Sequence, residues 1–205
     1  MSSAPTTPLD PAASDPRKLG WMRGFPPAPG AAIAFADGSF RAFPQSRWSY
    51  GNLRQFLPTR QVWRGKGPVS ELPRAEQPLE MLPVTTLDGR KTTFGQAVVD
   101  TYADGIAVLH RGRIVYERYY GVLEPHMPHI AMSVTKSFTG TLAGMLVAEG
   151  RLDPGAPVAH YVPELGHSGF ADAKVGEVMD MTTGIKYSEV YTDQTSDVFE
   201  MRRAG

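Results

Sequence analysis

Cysteine is absent from the chain, which excludes disulfides, a thiolate nucleophile and cysteine-ligated zinc or iron–sulfur centres. An excess of either charge is absent too, because Lys plus Arg and Asp plus Glu both number 21. Without such an excess there is no electrostatic footprint for nucleic acid or for an anionic membrane surface, and the expected partners are small or neutral molecules. No apolar run reaches the roughly 18 residues that a transmembrane helix needs. The leading residues, MSSAPTTPLDPAASDPRKLGWM, lack a basic stretch followed by an apolar one, so a secretory leader is not expected and a cytoplasmic location is. His110, His126, His129 and His160 show no metal-ligand spacing and read as structural, and neither a metal nor a cofactor is expected. Internal repeats are missing, and nothing in the pattern speaks to an oligomeric state.

What is present is a chain of 205 residues, enough for one domain, or one and part of another, with a real core. Residues 1 to about 45 are rich in Pro, Ala, Ser and Gly, yet Trp21, Phe25, Phe35, Phe40 and Phe43 are too many aromatics for a free tail. They suggest an irregular arm packed on the main body. Residues 46–90 continue as a proline-punctuated lead-in, so the chain divides into an arm at 1–90 and the body of the domain at 91–205. TTFGQAVVDTY, Thr92 to Tyr102, has the look of a short helix capped by Thr92 or Thr93. Ile106 to His110 and Arg113 to Tyr119 alternate β-branched and aromatic residues about an Arg111-Gly112 turn, the clearest hairpin in the chain. Ala173 to Met181 reads as a further short helix closed by Thr-Thr-Gly, and no packed element is expected at the C-terminal end.

Between hairpin and short helix lies HIAMSVTKSFTGTLAGMLVAEGRLDPG, His129 to Gly155. A helix is expected from near Ser133 to Gly150, a natural C-cap. At about 100° per residue, Ser133, Lys136, Ser137, Gly140 and Gly144 share one face, opposite Phe138, Leu142, Met145 and Leu146. No charge occurs from Ser137 to Ala148, so the helix is expected to be covered on nearly all sides, with its glycines admitting another backbone.

Ser133 and Lys136 stand at i and i+3, where two side chains on a helix can touch. A serine hydroxyl needs an adjacent base to act as a nucleophile near neutral pH, and a lysine serves if burial or a nearby cation favours its neutral amine. A serine at a helix start also places its acyl oxyanion near unpaired N–H groups and the positive end of the helix dipole. The plain alternative is a serine N-cap beside an ordinary lysine, since two fixed positions in four recur by chance.

The stretch MSVTKSFTGTLAGMLVAEGRLDPGAPVAHYVPEL resembles the Ser-x-x-Lys helix of the serine β-lactamase and penicillin-binding-protein superfamily. The similarity is to the class C-like branch that includes esterases and 6-aminohexanoate-dimer hydrolase, and it runs from about Gly105 to Tyr191. The hairpin, the helix, the Asp-Pro-Gly connector and VMDMTTGIKY follow one another in that family's order. The resemblance implies an α+β fold, an antiparallel sheet flanked by helices with a mostly helical second lobe. It also implies that Ser133 attacks an acyl carbon, that Lys136 takes or shares its proton, and that water releases the acyl-enzyme.

The superfamily's Tyr-x-Asn or Ser-x-Asn motif cannot occur after Lys136, because no asparagine follows it. His167-Ser168-Gly169 has the form of the third motif, His-x-Gly, but sits in a connector and reads as a decoy; Lys91-Thr92-Thr93 precedes the serine and lacks the glycine. The chain is therefore expected to be the N-terminal portion of a hydrolase, its sheet incomplete, with an unpaired strand edge and uncovered apolar surface. DMTTGIKYSEVYTD resembles the segment of 6-aminohexanoate-dimer hydrolase with a substrate-contacting tyrosine, which implies that role for Tyr191. Asp193 and Asp197 read as solvated loop carboxylates, with contact to a substrate amine as the alternative. Three functions stay open: a serine hydrolase of short linear amides, a carboxylesterase of the same fold, and a truncated non-catalytic fragment.

Overall fold

The structure, a computed structural model, describes residues 9–191 and 193–204; residues 1–8, at the tip of the expected arm and of the segment read for a leader, lie outside them. The chain forms two compact units that meet in sequence between Ile130 and Ala131.

In the first unit, helix α1 (Pro16–Leu19) is a complete capped turn in four residues: the Asp15 carboxylate accepts from the Arg17 N–H, proline opens it, and Gly20 closes it in the left-handed region. Helix α2 (Ser46–Ser49) carries Arg47, which is buried and donates from Nη1 to the Pro11 carbonyl at 2.8 Å and Ser14 Oγ at 2.7 Å. Phe40 is buried and stacks on Phe35 at 4.8 Å, while Phe43 meets Tyr102 edge-on at 4.9 Å. The arm thus packs on the body through its aromatics. Phe25 is fully exposed.

Strand β1 (Pro83–Thr85) pairs antiparallel with β2 (Lys91–Thr93), a small hairpin that prolines and charges hid from the sequence. The pairing places Thr92 in a strand, and of the two expected caps Thr93 is the one used: its hydroxyl accepts from the Gln96 N–H at the start of helix α3 (Phe94–Asp100). Strands β3 (Gly105–His110) and β4 (Arg113–Tyr119) form the expected hairpin. Arg111 and Gly112 have φ of 50° and 74°, the two left-handed residues of a turn whose twist matches paired strands. Val115 and Tyr116 are both buried although adjacent, against simple alternation. The register explains it: pairing steps from Val108–Tyr116 to Leu109–Ile114, which leaves Val115 as the extra residue of a β-bulge. A third segment runs along β4, where the Ile114 N–H bonds to the Pro73 carbonyl and the Ala75 and Gln77 N–H groups bond to the carbonyls of Ile114 and Val115. Tyr116 packs edge-on against Phe94 at 5.4 Å, a contact worth about 0.5–1.5 kcal/mol beyond area burial. Together these make a mixed α+β arrangement with small antiparallel sheets.

His129 closes the first unit. Its Nε2 lies 3.1 Å from Asp104 Oδ2 and its Nδ1 2.9 Å from the Ile130 carbonyl. Arg47 Nε approaches the other Asp104 oxygen at 3.9 Å, and Tyr50 faces the imidazole edge-on. Because both ring nitrogens face acceptors, only the doubly protonated ring satisfies both. The hydrogen bond with Asp104 raises the His129 pKa above its ordinary 6.5; partial burial opposes this and the Ile130 carbonyl adds to it. A raised histidine pKa contributes stability that is full below the unfolded value and is lost as pH rises through the folded one. Thermal unfolding should therefore show a melting temperature that falls as pH rises above the ordinary histidine range, with the slope reduced in His129→Gln.

In the second unit, a 3-10 turn (Met132–Val134) leads into helix α4 (Thr135–Ala148). Gly150, at φ 69°, ends it: the Arg151 N–H bonds to the Leu146 carbonyl and the Gly150 N–H to that of Val147, the paired closure a left-handed glycine permits. Helix α5 (Val158–Tyr161) and helix α6 (Val175–Met179) are drawn together where the Val158 N–H bonds to the Ala173 carbonyl and the Val175 N–H to that of Ala156. Helix α6 is shorter than the expected Ala173–Met181; Lys174 is its N-cap, its N–H held by the Glu177 carboxylate at 2.8 Å, and Met181 is already left-handed at φ 57°.

Two expectations need correction here. Helix α4 has no buried residue, with Phe138 68 % and Leu142 61 % exposed, and Gly140 and Gly144 have nothing near the place of a Cβ. Its apolar composition signals a covered helix, but within the second unit no element lies over that face. Conversely, the C-terminal end does hold a packed element, helix α7 (Asp197–Ala204). Acidic residues in its first turn suit the helix dipole, and Val198 is buried.

Candidate active site

Met132 enters the 3-10 turn at φ 46°, a left-handed conformation unusual for a non-glycine residue, and Ser133 follows it. The turn runs directly into α4, so the i to i+3 relation survives although Ser133 precedes the α-helix proper. Lys136 Nζ lies 3.1 Å from Ser133 Oγ. The first turn of α4 has no side-chain cap, so Ser133 is not used as the N-cap that the plain alternative required. Both residues are exposed.

Lys136 also lines a cavity of about 460 Å³ with Thr139, Gly140, Val158, Tyr161 and Val175 among its walls. Its lining is almost wholly apolar, and Lys136 is the one charged residue in it.

Tyr191 lies on a different element, the loop between Ser188 and α7; it is 57 % exposed, and its hydroxyl donates to the Glu189 carboxylate. Asp193 Oδ1 accepts from the Thr195 N–H at 2.9 Å and hydroxyl at 2.7 Å, and Asp197 is bonded to Ser188. Both carboxylates are thus engaged in organising their own loop, which lowers the pKa of each. His167 ends a 3-10 turn (Pro163–His167) and Ser168 Oγ closes that turn on the Leu165 carbonyl, so His-Ser-Gly is a turn and not a strand motif. Ser188 and Ser196 escaped the sequence reading; only Ser-x-x-x-x-x-x-x-Ser spacing on either side of a turn-rich stretch hinted at them. Among the described residues no group of three or more His, Asp and Glu side chains is placed to hold a metal ion. No helix among them is long and apolar enough to cross a membrane.

The pattern of the beta-lactamase family matches residues 95–204, more than half of the chain and a span that includes Ser133, Lys136 and Tyr191. The chain belongs to that family. Its beta-lactamase-like fold is also seen in a solved Bacillus anthracis structure assigned as a 6-aminohexanoate-dimer hydrolase, with a TM-score of 0.66 and 30% identity over 72% of this chain and 38% of that one. The 6-aminohexanoate-dimer hydrolase of Paenarthrobacter ureafaciens is 37% identical over 174 residues, 83% of this chain. The beta-lactamase family chain described here spans 42% of that relative's length, which fits an incomplete domain.

Proposed function

We propose that this chain carries the nucleophile and base of a serine hydrolase that cleaves short linear amides of the 6-aminohexanoate-oligomer type. The observation that carries the reading is the 3.1 Å contact between Lys136 Nζ and Ser133 Oγ at the entrance to α4, inside the matched family span. In this reading the neutral Lys136 amine takes the Ser133 proton as Oγ attacks the amide carbon. The tetrahedral intermediate collapses when the C–N bond breaks and the departing nitrogen receives the proton held by Lys136, leaving an acyl ester on Ser133. Water then adds to that ester as the freed amine takes its proton, and the amine returns that proton to Ser133 Oγ as the carboxylic acid leaves. Tyr191 contacts the substrate amide. The proposed substrate is a small molecule, and the proposed compartment is the cytoplasm.

A carboxylesterase is the second reading. Among the described residues Lys136 is the side chain hydrogen-bonded to Ser133 Oγ, and an alkoxide leaves with less help from an acid than an amine does. Hydrolysis of the linear 6-aminohexanoate dimer and of a p-nitrophenyl ester separates the two. Turnover of the dimer is expected; ester cleavage with no dimer cleavage overturns the amide reading, and no turnover of either together with no acylation of Ser133 overturns both.

A further inference from the structure

The backbone that enters the nucleophile turn is held at Ile130. Its N–H donates to the Tyr50 carbonyl at 3.0 Å, and its carbonyl lies 2.9 Å from His129 Nδ1. Two residues on, Met132 stands in the left-handed region at φ 46°, where a residue with a Cβ stays only when its surroundings fix it. On the far side of Met132 the turn does this, with the Val134 N–H bonded to the Ala131 carbonyl. On the near side the fixing group is His129, which is itself held by Asp104 Oδ2 at 3.1 Å. Asp104 is tied down in turn: its carbonyl accepts from the Tyr120 N–H at 2.8 Å, and Oδ1 lies 3.9 Å from Nε of Arg47. Both of those atoms are buried, and neither has a hydrogen-bond partner among the described residues, so each is the other's electrostatic counterpart. The remaining titratable groups around the imidazole are Tyr50, edge-on to the ring, and Tyr119, which lines a cavity of about 330 Å³ together with Asp104 and His129.

We propose that Asp104, acting through His129, is a positioning residue for Ser133: the pair fixes Ile130, keeps Met132 in its left-handed turn and thereby directs the Ser133 hydroxyl toward Lys136. The proposal rests on Ser133 being the nucleophile named above. Neither Asp104 nor His129 touches substrate in this account, so the effect falls on reaction geometry. The carboxylate favours the doubly protonated ring, the form in which both nitrogens donate. A neutral ring donates from one nitrogen and releases either Asp104 or the Ile130 carbonyl, which loosens the chain three residues before the nucleophile.

The test is the rate of phosphonate labelling at Ser133 in the full chain and its variants. His129→Ala and Asp104→Ala are each expected to slow labelling about tenfold, the scale of a modestly misplaced reacting group, and the double variant to be no slower than either. Asp104→Asn keeps an acceptor for Nε2 without the charge that favours the protonated ring, and falls between the parent and Asp104→Ala. His129→Gln supplies a donor that does not titrate. The ratio of parent to His129→Gln rates, in which the titration of Lys136 cancels, is therefore expected to fall as pH rises above the ordinary histidine range. Val115→Ala, which opens a cavity at a buried position of β4, should lower the melting temperature without slowing labelling of the folded chain. Parental rates in both alanine variants, additive losses in the double variant, a ratio that does not change with pH, or equal slowing in Val115→Ala each overturn the positioning role while leaving Ser133 as the nucleophile. A parent chain that takes no label at Ser133 overturns the nucleophile reading and this proposal with it.

Discussion

Ser133→Ala abolishes labelling of the chain by a serine-reactive phosphonate and reduces hydrolysis of a linear amide or an activated ester by at least about 10⁴-fold, the scale on which a covalent nucleophile is missed. The effect is this large because the proposed mechanism assigns the acyl-enzyme to Ser133 alone; what is left is the acceleration due to binding and oxyanion stabilisation. Mass analysis of the phosphonate-treated chain checks it directly, with the adduct on the peptide that contains Met132 to Lys136. An adduct that persists in Ser133→Ala refutes the assignment, whatever the turnover does. Ser133 is exposed and does not serve as a helix cap, so the substitution removes no structural hydrogen bond beyond that with Lys136, and the melting temperature should stay within a degree or two of the parent, on the order of what a surface change does.

Lys136→Met keeps the length and the apolar stem of the side chain and removes the amine. Phosphonate labelling of Ser133 is then expected to slow by about 10²–10⁴-fold, the range for loss of a positioned general base, without disappearing. This graded loss, against the all-or-none loss at Ser133, is the mark of a base next to a nucleophile. Raising the pH should partly restore labelling in Lys136→Met, since hydroxide can then take the serine proton. Equal labelling of parent and variant at every pH would show that the 3.1 Å contact is only a surface hydrogen bond.

Several features of the molecule could be read before any fold was known, and they share one property. The Arg111-Gly112 turn, the Gly150 helix end, the Thr93 cap and the Ser133–Lys136 pair each depend on residues within a few positions of one another. Backbone torsion preferences, capping and helical spacing act at that range. The 73–77 segment along β4 was not legible, because its prolines and charges read as loop and its pairing depends on a strand about forty residues away. The His129–Asp104 contact, 25 positions apart, was hidden for the same reason.

For the candidate site the division is sharper. The sequence by itself determined the identity and order of the chemical groups: a serine and a lysine one turn apart at the head of a helix with no other charge, in an order that resembles the family's. The tertiary structure decided their state. It placed the two atoms at hydrogen-bond distance while leaving both side chains exposed, and it left the apolar face of α4 open where composition implied a cover. It also engaged Asp193 and Asp197, expected as solvated loop carboxylates, in hydrogen bonds to Thr195 and Ser188. The reason is that spacing along the chain sets which groups can meet, whereas burial and the choice among competing hydrogen-bond partners depend on everything else that packs nearby.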